Sequence, residues 1–155
     1  MAMIQWTQDL SVGVESIDTD HKLLISMLNQ LDDAITAGEA EEVVSSMLNA
    51  LLDYTDYHFR REETLMVACG YPDADAHVHT HEMLRTQVIG IRDRFLRNPE
   101  SIREREVLAF LKNWLTAHIM GRDKLYEPFM ASRADDIEAA DTAFEHTLSG
   151  KEASA

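Results

Sequence analysis

Apolar residues recur every three or four positions along four long stretches of the chain, with polar and charged residues between them. This spacing is typical of amphipathic helices that turn one face towards a core. The first stretch shows the step clearly, since Leu24, Leu28 and Leu31 follow one another at intervals of four and three. Gly38 and Pro72 lie just beyond the first two stretches, where such residues end a helix. The four predicted helices span residues 19–37, 40–68, 74–97 and 101–120.

The same pattern predicts the fold class. No stretch alternates apolar and polar residues over more than a few positions, so strands are not expected and the class is all-α. Four helices joined by short connections form antiparallel neighbours, which predicts an up-down-up-down four-helix bundle. We expect the bundle domain to span residues 1–130, with an extended N-terminal arm over 1–18. Residues 131–155 are small and acidic, and they predict a short C-terminal tail that is helical or disordered.

Size and charge restrict the class of protein further. A chain of 155 residues is expected to form one folded domain. Its 28 acidic and 14 basic residues give a formal net charge of -14, which repels nucleic acid and anionic membrane surfaces. No secretory signal pattern and no apolar stretch of membrane-spanning length are present, so we expect a cytoplasmic protein. Cys69, the one cysteine, can form neither an intrachain disulfide nor a thiolate metal site.

Histidines are concentrated on the inward faces of the predicted helices. The chain has seven histidines, and five of them fall on the apolar stripes. A single buried histidine is usually a satisfied core residue, but a bundle interior offers few free backbone partners because the helices use their own carbonyls. Several imidazoles that converge there with a carboxylate need a cation to satisfy them. The five histidines are His21, His58, His77, His81 and His118, and the carboxylate is that of Glu62.

The spacing within the second and third helices suits a metal site. His58 and Glu62 are four residues apart, which is about 40° of rotation and one helical turn, so both side chains point to one spot. His77 and His81 repeat this spacing on the third helix. Either pair alone is weak evidence, whereas the two pairs together with further donors on the other helices favour a metal site.

The fourth helix departs from this regular spacing. Asp123 follows His118 by five residues, which places it about 140° away in a regular helix and turns its carboxylate outwards. Gly121 lies between the two and permits a local widening or an early helix end, a departure that often accompanies a functional site.

This pattern resembles the hemerythrin family, in particular its single-domain bacterial members. The resemblance runs from Trp6 to about Met130, and all seven positions at which the family carries metal ligands hold the expected residue types. The motifs that carry it are Val12-Gly13-Val14 and Ile17-Asp18 before His21, His58-Phe59-Arg60-Arg61-Glu62 with Glu63 and Met66, Tyr71-Pro72 before His77 and His81, and His118-Ile119 with Asp123.

The resemblance implies a non-haem di-iron centre, with two iron ions that change between Fe2+ and Fe3+ and share an oxo or hydroxo bridge. Glu62 and Asp123 would bridge the two irons. This ligand set and the bridging group fill all but one position around two octahedral ions, and the open position lies on the iron with only two histidines. Dioxygen could bind there. One iron would be held by His77, His81 and His118, and the other by His21 and His58.

Apolar residues beside these ligands predict a pocket for dioxygen. Neutral imidazoles supply less negative charge than the carboxylate-rich ligand sets of di-iron oxygenases, which favours binding of dioxygen over its activation. An apolar wall would also keep water and protons away. Trp114 in this wall could equally be a plain core residue. By position and by the resemblance, the wall residues are Leu24, Phe59, Trp114, Leu115 and Ile119.

Several other polar residues have simpler interpretations. Glu63 neighbours Glu62 but faces about 100° away from it, so we expect it on a solvated face. Asp20 lies at the predicted start of the first helix, where a capping or helix-dipole role is a sufficient explanation. His79 is expected to be exposed, His146 lies in the C-terminal tail, and neither is expected to bind metal.

Three functions are compatible with such a site. Reversible dioxygen binding for storage, delivery or sensing, without enzymatic activity, is the function that the pattern favours. The alternatives are a di-iron oxidoreductase acting on peroxide or nitric oxide, and a protein that buffers iron. Dioxygen is the expected partner, and the sequence identifies no oxygen-consuming partner protein.

Overall fold

The computed structural model describes residues 4–98 and 104–154, with side chains over 4–98 and 105–147. All regular secondary structure in these ranges is helical, and no strand occurs in them. None of the described helices combines the length and apolar character that a membrane span requires. The four bundle helices are α1 (Glu15–Thr36), α2 (Glu41–Ala68), α3 (Ala74–Arg97) and α4 (Glu104–His118), and α5 (Lys124–Ala131) and α6 (Ala134–Ser154) follow them.

The predicted all-α bundle is confirmed. α3 has the predicted bounds, and α2 begins one residue later than predicted. α1 begins at Glu15 instead of residue 19, so the extended arm is shorter than expected. The predicted start of the fourth helix, 101–103, lies outside the described residues.

The N-terminal arm is fixed to α1 by hydrogen bonds. The side-chain amide of Asn29 exchanges two hydrogen bonds with the backbone of Ile4, at 2.8 and 3.0 Å. The carboxylate of Asp18 accepts from the Val12 backbone N–H at 2.9 Å and from the Ser11 hydroxyl at 2.6 Å. The arm therefore lies against the bundle.

Two apolar clusters fill the interior, and a polar layer lies between them. The first cluster packs α1, α2, α3 and α4 together, and the second packs the start of α1 against the end of α2, α5 and α6. On α1, His21 lies between Leu24 of the first cluster and Ile17 of the second. On α2, Glu62 lies in the same way between Phe59 and Leu65. The histidines and carboxylates thus occupy one level of the bundle.

α6 covers part of the outer face of α2. The ring of Phe144 lies 5.6 Å from that of Tyr57, centroid to centroid. The guanidinium of Arg61 on α2 pairs with Asp141 on α6. The C-terminal tail is therefore a helix attached to the bundle, and it carries charged contacts as well as apolar ones.

Candidate metal centre

Seven buried side chains, from the four bundle helices and from the turn that follows α4, meet in the polar layer. Their donor atoms form two overlapping groups, and within each group all atoms lie within 4.8 Å of one another. Glu62 and Asp123 belong to both groups. The structure thus brings together all seven residues that the sequence indicated as metal donors. The first group adds His77, His81 and His118 to the two carboxylates, and the second adds His21 and His58.

A π-helical turn over Ile119–Asp123 brings Asp123 into the site. The wider turn returns a residue five positions on to the same face of the helix, and Asp123 Oδ1 lies 3.0 Å from Nε2 of His118. The predicted local widening is therefore present. Gly121 does not cause it, because this glycine is exposed, its φ is outside the left-handed region, and a Cβ there would meet open space.

The inner donor atoms of His21, His58, His77 and the two carboxylates approach one another closely without forming hydrogen bonds. Nε2 of His58 lies 2.5 Å from Oε2 of Glu62. The Nε2 atoms of His21 and His77 each lie 3.1 Å from an oxygen of Asp123. Within the described residues, all of these buried nitrogens and oxygens lack a hydrogen-bond partner. A shared cation would satisfy them together, and the mixture of imidazole and carboxylate donors fits iron.

Asp20 holds the outer nitrogen of His58. The Nδ1–H of His58 donates to Oδ2 of Asp20 at 2.9 Å, so Nε2 is the nitrogen that faces the site and could bind a metal ion once it is deprotonated. The same carboxylate accepts from the Tyr54 hydroxyl at 2.7 Å and from Nε of Arg61 at 2.9 Å. The expected capping role of Asp20 is wrong, because α1 begins at Glu15 and Asp20 lies inside the helix facing α2.

Glu63 has a similar position beside His81. The Nδ1–H of His81 donates to Oε2 of Glu63 at 3.3 Å, and the Glu63 side chain is 24% exposed. The expectation of a purely solvated Glu63 is therefore wrong. Phe59 stacks on the opposite side of the imidazole, with ring centroids 3.8 Å apart and planes 5° apart, so the ring of His81 is fixed on two sides. His79 is exposed, as expected, and His146 is exposed on α6.

Electrostatic interactions balance the buried charges of the metal-free site. Burial lowers the pKa of His58, but Glu62 and Asp20 outweigh burial and raise it to about 10. Burial likewise lowers the pKa of His77, but Asp123 and Glu62 raise it to about 9. Burial would raise the pKa of Glu62, yet the surrounding histidines hold it well below its usual range. Protons thus occupy the site at neutral pH, and a metal ion must displace them to bind.

The five residues predicted to form the dioxygen pocket all lie in the first apolar cluster. The Phe59 ring lies 5.9 Å from the imidazole of His118 and 6.1 Å from the ring of Trp114, centroid to centroid. Buried apolar side chains therefore border the metal donors directly. All five residues of this set are buried, namely Leu24, Phe59, Trp114, Leu115 and Ile119.

The fold and the donor groups define a class of protein, a four-helix bundle whose interior could hold a pair of metal ions. Residues 12–130 match the family model of the hemerythrin HHE cation binding domain. This match covers more than half of the chain, and the chain belongs to the hemerythrin family.

Similar proteins extend the match. A bacteriohemerythrin from Stenotrophomonas maltophilia is 37% identical over 139 residues, which cover 90% of this chain and 84% of that protein. A bacteriohemerythrin from Methylococcus capsulatus is 32% identical over 133 residues, which cover 85% of this chain and all of that protein. The crystal structure of a wild-type hemerythrin is 32% identical, with a TM-score of 0.76 and coverage of 83% of this chain and 98% of that one. The resemblance seen in the sequence is confirmed, and α6 lies beyond the family match.

Proposed function

We propose that this chain holds two iron ions in the candidate metal centre and binds dioxygen there reversibly. The observation that carries the proposal is the pair of overlapping donor groups, which share Glu62 and Asp123. Two carboxylates in common allow two cations to be held side by side, and the family resemblance supports iron. His77, His81 and His118 would hold one iron, and His21 and His58 the other.

The residues around the donors prepare the site for such ions. Asp20 and Glu63 accept the outer N–H groups of His58 and His81, so both imidazoles direct Nε2, the nitrogen that would bind metal, to the interior. Glu62 is completely buried, and its charge offsets that of bound cations. Iron bound to these residues would supply the reversible electron transfer that dioxygen binding requires.

The apolar wall supports reversible binding over turnover. Leu24, Phe59 and Ile119 are each 1% exposed, so these three side chains are shielded from bulk water. Exclusion of water and protons suppresses side reactions at a reactive centre. We therefore propose an oxygen-binding role, in storage, delivery or sensing, and no enzymatic activity.

The test is a cycle of oxygenation followed in the visible spectrum. The iron-loaded protein is reduced without oxygen, exposed to air and then returned to an oxygen-free atmosphere. We expect a new absorption band that disappears again over repeated cycles. His58→Ala should lose this behaviour, whereas His79→Ala, which removes an exposed histidine, should retain it. Steady consumption of reductant, or iron that does not respond to air, would contradict the proposal.

A further inference from the structure

Arg61 connects α6 to the edge of the metal centre. This side chain is 4% exposed, although a charged residue in an amphipathic helix usually faces water. Its guanidinium pairs with Asp141 and, at 3.2 Å, with Glu145, both on α6. Its Nη2 donates to the Tyr57 hydroxyl at 2.6 Å, and its Nε donates inward to Asp20. One buried cation therefore has carboxylates on both sides.

Arg61 and His58 donate to the same oxygen. The Nε of Arg61 and the Nδ1 of His58 both lie 2.9 Å from Oδ2 of Asp20. A cation bound to this oxygen makes the carboxylate a weaker hydrogen-bond acceptor for the Nδ1–H of His58. Carboxylates on the far side of the guanidinium offset part of its positive charge. The Asp20 carboxylate then remains a stronger hydrogen-bond acceptor for the Nδ1–H of His58. A stronger hydrogen bond from His58 to Asp20 raises the electron density at Nε2, the nitrogen that faces the metal centre.

We propose that Asp141 and Glu145 of α6 are positioning residues for the two-histidine half of the metal centre, and that they act through Arg61 and Asp20 on His58. The inference rests on the proposed function because it takes His58 as a metal donor. It adds a role for α6, which begins at residue 134, beyond the family match over 12–130.

The aromatic contacts of α6 allow its charge to be changed without releasing the helix. The guanidinium carbon of Arg61 lies 5.3 Å from the ring centroids of both Tyr57 and Phe144. Ile137 of α6 is also buried, in the second apolar cluster. Substitutions that neutralise only the two carboxylates leave these cation–π and apolar contacts in place, so α6 should stay on α2.

The experiment compares two double variants of the full-length chain by NMR. Asp141→Asn with Glu145→Gln removes the two carboxylates that face Arg61. Asp135→Asn with Glu138→Gln is the control, because it makes the same charge change at exposed positions of the same helix that are not bonded to Arg61 in the described structure. The signal followed is the Nδ1–H proton of His58, in metal-free and zinc-loaded protein. We expect an upfield shift and faster exchange in the first variant only.

Arg61→Gln supplies a change of opposite sign. Without the cation, the Asp20 carboxylate accepts more strongly from His58, so the Nδ1–H signal should move downfield. A merely stabilising contact would lower the melting temperature in both variants without shifts of opposite direction. Zinc should also leave the two-histidine half several-fold faster in the Asp141→Asn, Glu145→Gln variant when a chelator is added.

The two possible failures can be told apart. An unmoved His58 signal in the α6 variant, with two zinc ions still bound, overturns the coupling and leaves the proposed function intact. A wild-type protein that binds fewer than two zinc ions contradicts the proposed function. In that case the His58 Nδ1–H signals of the metal-free wild type and variants still show whether α6 acts on His58.

Discussion

Replacing Asp20 by Asn removes the charge of a carboxylate that is 3% exposed and accepts three hydrogen bonds. The donors are the Tyr54 hydroxyl at 2.7 Å, and Nδ1 of His58 and Nε of Arg61, both at 2.9 Å. Asn has the same size but only one acceptor oxygen, and its amide N–H groups would face these donors. Arg61 would keep Asp141 as a counter-ion, so its charge would not be left alone in the interior.

The size of the effect follows from these contacts. Removing one partner of a buried ion pair costs about 3–5 kcal/mol when the other charge is left unpaired. Because Arg61 retains a partner on α6, we expect the lower end, about 3 kcal/mol less free energy of unfolding for the metal-free protein. His58 loses the charged carboxylate that orients it, so metal affinity at the two-histidine half should fall about 10- to 100-fold.

Two measurements check this prediction. Urea unfolding of the metal-free protein gives the free energy of unfolding, and competition for zinc with a chelator gives the affinity. Asp33→Asn is the control, since Asp33 is exposed on the same helix and should change neither quantity. If Asp20→Asn unfolds at the same urea concentration as the wild type and binds zinc equally well, the assigned role of Asp20 is refuted.

Three further predictions concern the donors and the wall. Asp123→Asn keeps the side-chain size but removes charge that offsets two cations, so the reversible oxygen spectrum should be lost, whereas Asp135→Asn should not change it. An Asp123→Asn protein that holds two irons and cycles oxygen would remove the bridging role. The metal-free protein should lose stability to urea at high pH. The pKa values of His77 and His58 are raised to about 9 and about 10, so the stability from their protonated forms is complete below about pH 6.5 and is lost as the pH rises through those values. A urea midpoint that stays constant between about pH 7 and 10 would contradict this. Phe59→Ala should lower the free energy of unfolding by about 3–5 kcal/mol, because the ring is 1% exposed and fills the core. Urea unfolding measures it, and an unchanged midpoint would show that the ring is not packed as described.

Helical periodicity was sufficient to predict the bundle and the convergence of the donors. His58 and Glu62 share a face of α2 because they are four residues apart, and the apolar stripe shows which face is inward. The step from His118 to Asp123 does not fit a regular helix, and this misfit indicated the wider turn that the structure contains. These spacings lie within single helices, so they can be predicted from the sequence alone.

The partners of the outer imidazole nitrogens could not be predicted in this way. Asp20 was expected at a helix end because the apolar stripe begins after it, whereas α1 extends back to Glu15. Glu63 was expected in water because a single-helix pattern does not show that α3 places His81 within its reach. Each of these contacts depends on which helices are neighbours.

The burial of Arg61 has the same kind of cause. Its contact with Asp141 joins residues 80 positions apart in the chain. No periodic pattern indicates that α6 will cover this part of α2, and the tail was expected only as a short helical or disordered segment. The structure has a helix there, over Ala134–Ser154.

The number of irons bound per chain tests most directly whether Glu62 and Asp123 hold two ions in common. The measurement is elemental analysis of the fully loaded protein, related to its protein concentration. We predict about two irons per chain, because five histidines and two shared carboxylates are too many donors for one ion. A single tightly bound iron in fully loaded protein would contradict the di-iron assignment.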